Sequence, residues 1–198
     1  MPLTTPVLAE GLKRIAAHME TVADELNALD GQLGDGDLGV TMTRGGRALT
    51  GILPTLPADV GMALMACAQA MTKVSGSSYG TLLATGLLAA AKATRGRTEV
   101  PWSETAAVLR AALEAMMTRG KASLGDKTVL DALDAAATGA EGKSDPGEIL
   151  RAATASVEAT LDRMRTMQAK IGRARIFGER LDDPGMRAFK EVLRGLQE

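Results

Sequence analysis

Residues 28–46 read "ALDGQLGDGDLGVTMTRGG", and the way this stretch is entered decides the fold class. Its "GDGDLG", residues 34–39, satisfies G-x-G-x-x-G, the dinucleotide fingerprint, which needs a β-strand ahead of it and a backbone free to approach a pyrophosphate. Ahead of it stand Leu8, Leu12, Ile15, Met19, Val22 and Leu26, spaced by three and four residues, which is the apolar stripe of a helix. Asp35 and Asp37 would also repel the phosphates. The dinucleotide reading is rejected, and a helix leads into an acidic, glycine-rich turn.

Similar stripes recur along the chain. Val60, Ala63, Leu64, Cys67, Ala68 and Met71 form one, and Tyr79, Leu82, Leu83, Leu87 and Ala90 another. Leu109, Ala112, Leu113, Met116 and Met117 form a third, which ends at Arg119 and Gly120 as a basic last turn with a glycine C-cap. A turn and a further helix follow. "SDPGEIL" at 144–150 sets Asp145 at an N-cap, Pro146 at the first helical position and Glu148 at the capping-box position. From there Ile149, Ala153, Leu161, Met164 and Met167 mark a long helix, and "DDPGMRAFKEVLRGL" starts a last one with Met186, Phe189, Leu193 and Leu196 on one face. With a helix over 40–53, the count is about eight. No window alternates with period two in β-branched residues, so no strand is predicted and the fold is all-α.

Composition agrees. Hydrophobic residues are 45% but aromatics only 2%, with 11 Met, so the core must be built from small and flexible aliphatic side chains, as close-packed helices allow. At 198 residues without a composition break, one domain over 1–198 is expected. A net charge of −1 leaves no basic excess for a nucleic-acid backbone or an anionic membrane, so neither partner is expected. Cys67 is the only cysteine, which excludes an intrachain disulfide and fits a reducing, cytoplasmic compartment. The first thirty residues mix charge with apolar residues, unlike a signal peptide or a membrane span.

Two other phosphate or metal motifs fail. "GKASLGDKT" at 120–128 is one inserted Asp126 away from a Walker A loop, but it follows a helix and the insertion displaces the lysine. An EF-hand beginning at Asp30 would place Gly34, Asp35 and Thr41 where a ligand, a glycine and a glutamate are required. What remains is three carboxylates, Asp30, Asp35 and Asp37, on a turn whose glycines let them converge: hard oxygen ligands suited to Mg²⁺ or Ca²⁺. The plainer alternative is that each aspartate caps a turn. Because Mg²⁺ normally shares its ligands with water and phosphate, "KVSGSSYGT" at 73–81 is a candidate phosphate loop ahead of a helix N-terminus, or an ordinary N-cap.

Together "LDGQLGDGDLGVTMTRG" (29–45), "SGSSYGT" (75–81), "RGKASLGDKTVLDAL" (119–133) and "GRARIFGERLDDPG" (172–185) resemble the ADP-binding L subunit of dihydroxyacetone kinase. The resemblance implies eight antiparallel amphipathic helices in a closed barrel with a nucleotide, ADP or ATP, at one end. It implies two Mg²⁺ ions on Asp30, Asp35 and Asp37, with phosphate contacts from Leu38, Gly39, Val40, Thr41, Val74 and Ser75. Around the rest of the nucleotide it implies Gly120, Val129, Arg173, Asp183, Pro184 and Gly185. Phosphate would pass to dihydroxyacetone or a similar small ketose held by a separate K subunit, and a phosphohistidine protein of the phosphotransferase system is a further partner in one version of the family.

The matched positions also differ from the family's usual residues: Leu38 stands where His is common, Thr41 where Asn is, and Lys73-Val74 where Gly-Ala is, and the stretch 180–183 is short. Arg173 is the one candidate to assist transfer beyond the metal ligands; Arg173 and Arg175 read equally as surface charges. For Lys127 a helix-surface position is likewise the plainer alternative to a donor role, and His18, beside the first stripe, reads as a surface or boundary residue. A nucleotide-loaded regulatory module without turnover, and a helical domain with a merely acidic turn, are the competing functions.

Overall fold

Helix α1 (Thr5–Asp30) begins with a proline in its first turn and runs for 26 residues, burying Leu12, Met19 and Leu26 from the predicted stripe. The structure is a computed structural model and describes residues 1–172, 175 and 181–197. After α1 come α2 (Leu38–Ile52), α3 (Val60–Val74), α4 (Ser78–Thr94), α5 (Thr105–Gly120), α6 (Val129–Ala140), α7 (Pro146–Met164) and α8 (Pro184–Gly195). Two short 3-10 turns, Leu53–Thr55 and Trp102–Glu104, precede α3 and α5. Among the described residues the β pairing amounts to one isolated bridge between Leu3 and Val100. The fold is all-α, with eight helices among the described residues.

Side-chain caps set most of the helix starts. Asp59, Ser77, Thr128, Asp145 and Asp183 each accept a first-turn N–H of the helix they precede. Asp145 takes the Glu148 N–H at 2.8 Å. The reciprocal capping box is built at α6, where Thr128 caps the first turn and the Asp131 carboxylate returns to the Thr128 N–H at 2.9 Å.

Each helix packs on the next in the chain as far as α7, α8 packs on α1, and α6 and α7 both close on α8. In the middle lies an apolar cavity of about 250 Å³, lined from seven of the eight helices by residues that include Met19, Met42, Met71, Met116, Leu133 and Phe189. The methionines do what the scarcity of aromatics requires, filling irregular space with flexible side chains.

Three expectations are corrected. Gly120 is the last helical residue, and the left-handed C-cap is Lys121, with φ 50°. Helix α7 ends at Met164, so Met167 lies beyond it and is exposed, because the chain turns there and offers its carbonyls to Lys127. His18 is buried between α1 and α8, with Nε2 3.0 Å from Glu191 Oε2. A histidine beside an apolar stripe can be drawn inward when the facing helix supplies a carboxylate.

Candidate functional site

The turn between α1 and α2 is shaped by the backbone before any ligand is considered. The Gly34 N–H closes on the Asp30 carbonyl, and the Asp37 N–H donates to Asp30 Oδ2 at 3.0 Å. A Cβ at Gly34 would stand 2.8 Å from Asp30 Oδ1, so glycine there leaves room for the carboxylate. Gly39 serves helix packing instead. A Cβ there would lie 2.0 Å from the Ala23 carbonyl oxygen, so its absence lets α2 start directly against α1. Asn27 fixes the same contact by accepting the Val40 N–H at 3.2 Å.

The consequence is that Asp30, Asp35 and Asp37 each place a carboxylate oxygen within 4.8 Å of the other two. Asp37 occupies the N-cap position of α2, yet its side chain makes no capping hydrogen bond. The capping alternative therefore describes Asp30, which takes a turn N–H, and not Asp37. Like charges about 4 Å apart repel by about 4 kcal/mol per pair at an effective dielectric near 20. Asp35 and Asp37 are exposed and Asp30 half-buried. Three hard oxygens with open sides fit a divalent cation that keeps positions for water or phosphate oxygens. The α2 N-terminus adds a partial positive field beside them.

The other predicted residues reach this end of the bundle in different ways. The side chain of Leu38 is buried with Met19, Leu26, Met42 and Ala188, so only its backbone faces the turn. Val40 and Val74 are exposed, and the Thr41 N–H is already bonded to the Asp37 carbonyl at 2.9 Å. The Ser75 N–H closes the last turn of α3 on Met71, while its hydroxyl lies 3.4 Å from that of Ser77. Ser77 caps α4 through the Gly80 N–H at 3.1 Å. The serine segment is thus an N-cap and a helix N-terminus at once. Gly120 is exposed, and Val129 is buried in the core beneath the 121–128 loop. Arg173 lies outside the described residues; Arg175 is exposed, and its carbonyl accepts a bond from the Gln168 amide.

The turn of Asp183, Pro184 and Gly185 is joined to the rest by a residue that its apolar stripe marks as core alone. Tyr79 packs on the cluster holding Leu38, and its hydroxyl donates to the Gly185 carbonyl at 3.1 Å. Burial and the neighbouring Asp183 push its hydroxyl pKa up, so it stays a donor. Asp183 caps α8 through the Met186 N–H at 2.8 Å, and burial raises its carboxyl to about 7. Lys127 precedes α6 and is 2% exposed, so the helix-surface alternative for it does not hold.

A family model described as the DAK2 domain matches residues 32–198. The chain belongs to the DAK2 domain family. This DAK2 domain is 36% identical over 214 residues to the triokinase/FMN cyclase of Bos taurus, a match covering 100% of this chain and 36% of that protein. It is 30% identical over 193 residues to the PEP-dependent dihydroxyacetone kinase, ADP-binding subunit DhaL, of Escherichia coli K12, covering 93% of this chain and 92% of that subunit. The chain therefore spans about a third of the larger relatives and aligns with nearly all of the smaller one. Among solved structures, the dihydroxyacetone kinase of C. freundii in complex with AMP-PNP and Mg²⁺ superposes with a TM-score of 0.78 at 26% identity, over 99% of this chain and 34% of that one. The DAK2 domain thus shares the fold of one domain of the dihydroxyacetone kinases. None of its described helices is long and apolar enough to cross a membrane.

Proposed function

We propose that this chain is the nucleotide-binding, phosphate-donating unit of a dihydroxyacetone kinase-type phosphotransferase. The observation that carries the reading is the convergence of Asp30, Asp35 and Asp37 within 4.8 Å, beside a helix N-terminus. The names of the relatives, one an ADP-binding subunit and another solved with AMP-PNP and Mg²⁺, support a Mg²⁺-bound nucleotide as its ligand. The cyclic packing order from α1 round to α8 supports the closed barrel, with the nucleotide at the end where the 31–37 and 121–128 loops lie.

In this reading Asp30, Asp35 and Asp37 hold two Mg²⁺ ions against the phosphates of ADP or ATP. Bound there, Mg²⁺ supplies neutralisation of phosphate charge, the main requirement of phosphoryl transfer besides positioning. The chain's own groups orient the nucleotide: backbone at Leu38, Gly39, Val40 and Thr41, then Val74 and Ser75 along the phosphates, with Gly120, Val129, Arg173 and the turn at Asp183, Pro184 and Gly185 around the remainder. The acceptor is dihydroxyacetone or a similar small ketose, presented by a K subunit or domain. From the ATP form, the γ-phosphate would pass to the acceptor's hydroxyl oxygen as its bond to the ADP oxygen broke, leaving ADP in the site, and the hydroxyl proton would go to a base of the partner. The single histidine, His18, is buried on Glu191 and is not displayed as a base. The PEP-dependent name of the E. coli relative favours a version in which ADP stays bound and is recharged by a phosphohistidine protein.

The test is to purify the protein without added nucleotide and identify what denaturation releases, with and without prior EDTA. Stoichiometric ADP that EDTA removes supports the retained-coenzyme version. Binding only of added Mg²⁺-ATP supports exchange with solution, and binding without transfer to any acceptor supports a regulatory module. No nucleotide binding at all would reduce the three aspartates to turn residues.

A further inference from the structure

Phosphate transfer as proposed makes no use of Lys127, the largest of the fully buried side chains among the described residues. Its backbone is left-handed, with φ 61°. Such a conformation costs a non-glycine residue about 1–2 kcal/mol, and glycine or asparagine occupies it more cheaply. The chain nevertheless keeps a lysine there and removes its ammonium from water. Burial accordingly pushes its pKa down, while Asp183 and Asp182 pull it up.

Its contacts explain what the burial achieves. Lys127 Nζ donates to the Arg165 carbonyl at 3.1 Å and the Met167 carbonyl at 2.7 Å, both just past the end of α7. Asp183, whose charge acts on this ammonium, is the residue that caps α8 and precedes Pro184 and Gly185. The outer face of the same joint is closed by Arg165, whose Nε donates to Asp182 Oδ1 at 2.8 Å. Below, Asp131 secures the lysine's own loop by accepting the Gly125 N–H at 2.5 Å and the Thr128 N–H at 2.9 Å. The Lys170 N–H donates to the Asp126 carbonyl at 3.1 Å, so the α7 exit is pinned at two points to the loop before α6. Three segments distant in sequence are joined in series: the Lys127 ammonium ties 121–128 to the α7 exit, and Arg165 at that exit ties it to Asp182.

We infer that Lys127 is the positioning residue of the nucleotide site's far wall: its buried ammonium locks the exit of α7 to the loop before α6, where Arg165 holds Asp182 at the head of the Asp183-Pro184-Gly185 turn, and so pre-forms the surface on which the nucleotide outside the metal-bound phosphates rests. The inference depends on the proposed function for the identity of the ligand. It does not depend on it for the joint itself. Lys127 is a positioning and not a catalytic residue, since it touches backbone and carboxylates of its own chain.

The experiment compares wild type with Lys127→Met, which keeps the aliphatic stem without the charge, and Lys127→Arg, which keeps both charge and donors. Binding of Mn²⁺ alone reports the aspartate turn, and binding of Mg²⁺-ADP reports the whole site, both measured well below Tm. K127M is expected to weaken Mg²⁺-ADP by at least about tenfold, K127R by less than about threefold, with Mn²⁺ affinity unchanged in both. Wild-type Mg²⁺-ADP affinity in K127M overturns the inference, as does an equal loss of Mn²⁺ and Mg²⁺-ADP binding, which would mark a general contribution to stability. Should K127M fail to fold, Lys127→Gln, a donor without charge, is read by the same criteria. If wild type binds no nucleotide, the proposed function fails, and hydrogen exchange then decides the joint: faster exchange in K127M confined to 165–170 and 182–186 upholds it, and unchanged or uniformly faster exchange overturns it.

Discussion

Between α1 and α2, three carboxylates stand within 4.8 Å of one another, two of them exposed, on a turn where Gly34 clears space for the Asp30 carboxylate. Between α5 and α8, Lys127, Asp131 and Asp183 form another charged group, but there the cation is part of the chain, is 2% exposed, and is bonded to backbone carbonyls. The first region turns its carboxylates toward solvent, which is the condition of a site that takes its cation from solution. The second encloses its charges with a lysine of the chain, which is the condition of a wall. Clustered acidic residues take their meaning from whether they are presented outward or buried around a built-in cation.

The strongest way to break this contrast is Asp35→Asn. Losing one ligand from an open three-carboxylate set is expected to weaken Mg²⁺-dependent nucleotide binding by at least about 100-fold by calorimetry. The same substitution relieves repulsion, so Tm in EDTA is expected to hold or rise. Retained nucleotide affinity together with a lower Tm would mean that Asp35 is a structural residue and that the two regions are alike.

The glycines of the first region separate ligand geometry from helix packing. Gly39→Ala drives a methyl group into the Ala23 carbonyl, 2.0 Å from the Cβ position, and is expected to destabilise the fold by about 2–4 kcal/mol in urea unfolding. Gly34→Ala meets chiefly the Asp30 carboxylate, at 2.8 Å, so it is expected to displace a ligand, weakening Mn²⁺ binding by about tenfold with stability changed by less than about 1 kcal/mol. If both variants lose stability equally, the turn is a packing element and its carboxylates are incidental.

The two regions also differ in how plainly the sequence announces them. The aspartate turn is legible because its residues are adjacent and of one chemical type, and the helices because apolar stripes repeat at three and four. The second region is illegible to such reading, since Lys127 and Asp183 are 56 residues apart, with Met167 between them, and nothing local marks a buried lysine. Left-handed φ at a non-glycine residue, as at Lys121 and Lys127, runs against the local rule that assigns the C-cap to Gly120. His18 escapes local reading for the same reason: its partner, Glu191, lies 173 residues away. Tertiary neighbours, which spacing does not encode, decide these cases.

The subtlest test uses pH, and its sign follows from Asp183. Burial raises this carboxyl from 3.8 to about 7 in the folded protein, with the Lys127 ammonium opposing the rise. Between those values the folded state holds the proton more tightly than the unfolded state, so this group's contribution to stability falls as pH rises from about 4 to about 7. Asp183→Asn retains an N-cap acceptor for the Met186 N–H and has no such titration. The stability difference, variant minus wild type, is therefore expected to move in the variant's favour by roughly 1–2 kcal/mol between pH 5 and pH 8. In the K127M background the same difference should grow, because the opposing ammonium is gone. A difference independent of pH in both backgrounds would mean that Asp183 is as open to solvent as the aspartates of the first turn, and the internally neutralised wall would lose its physical basis.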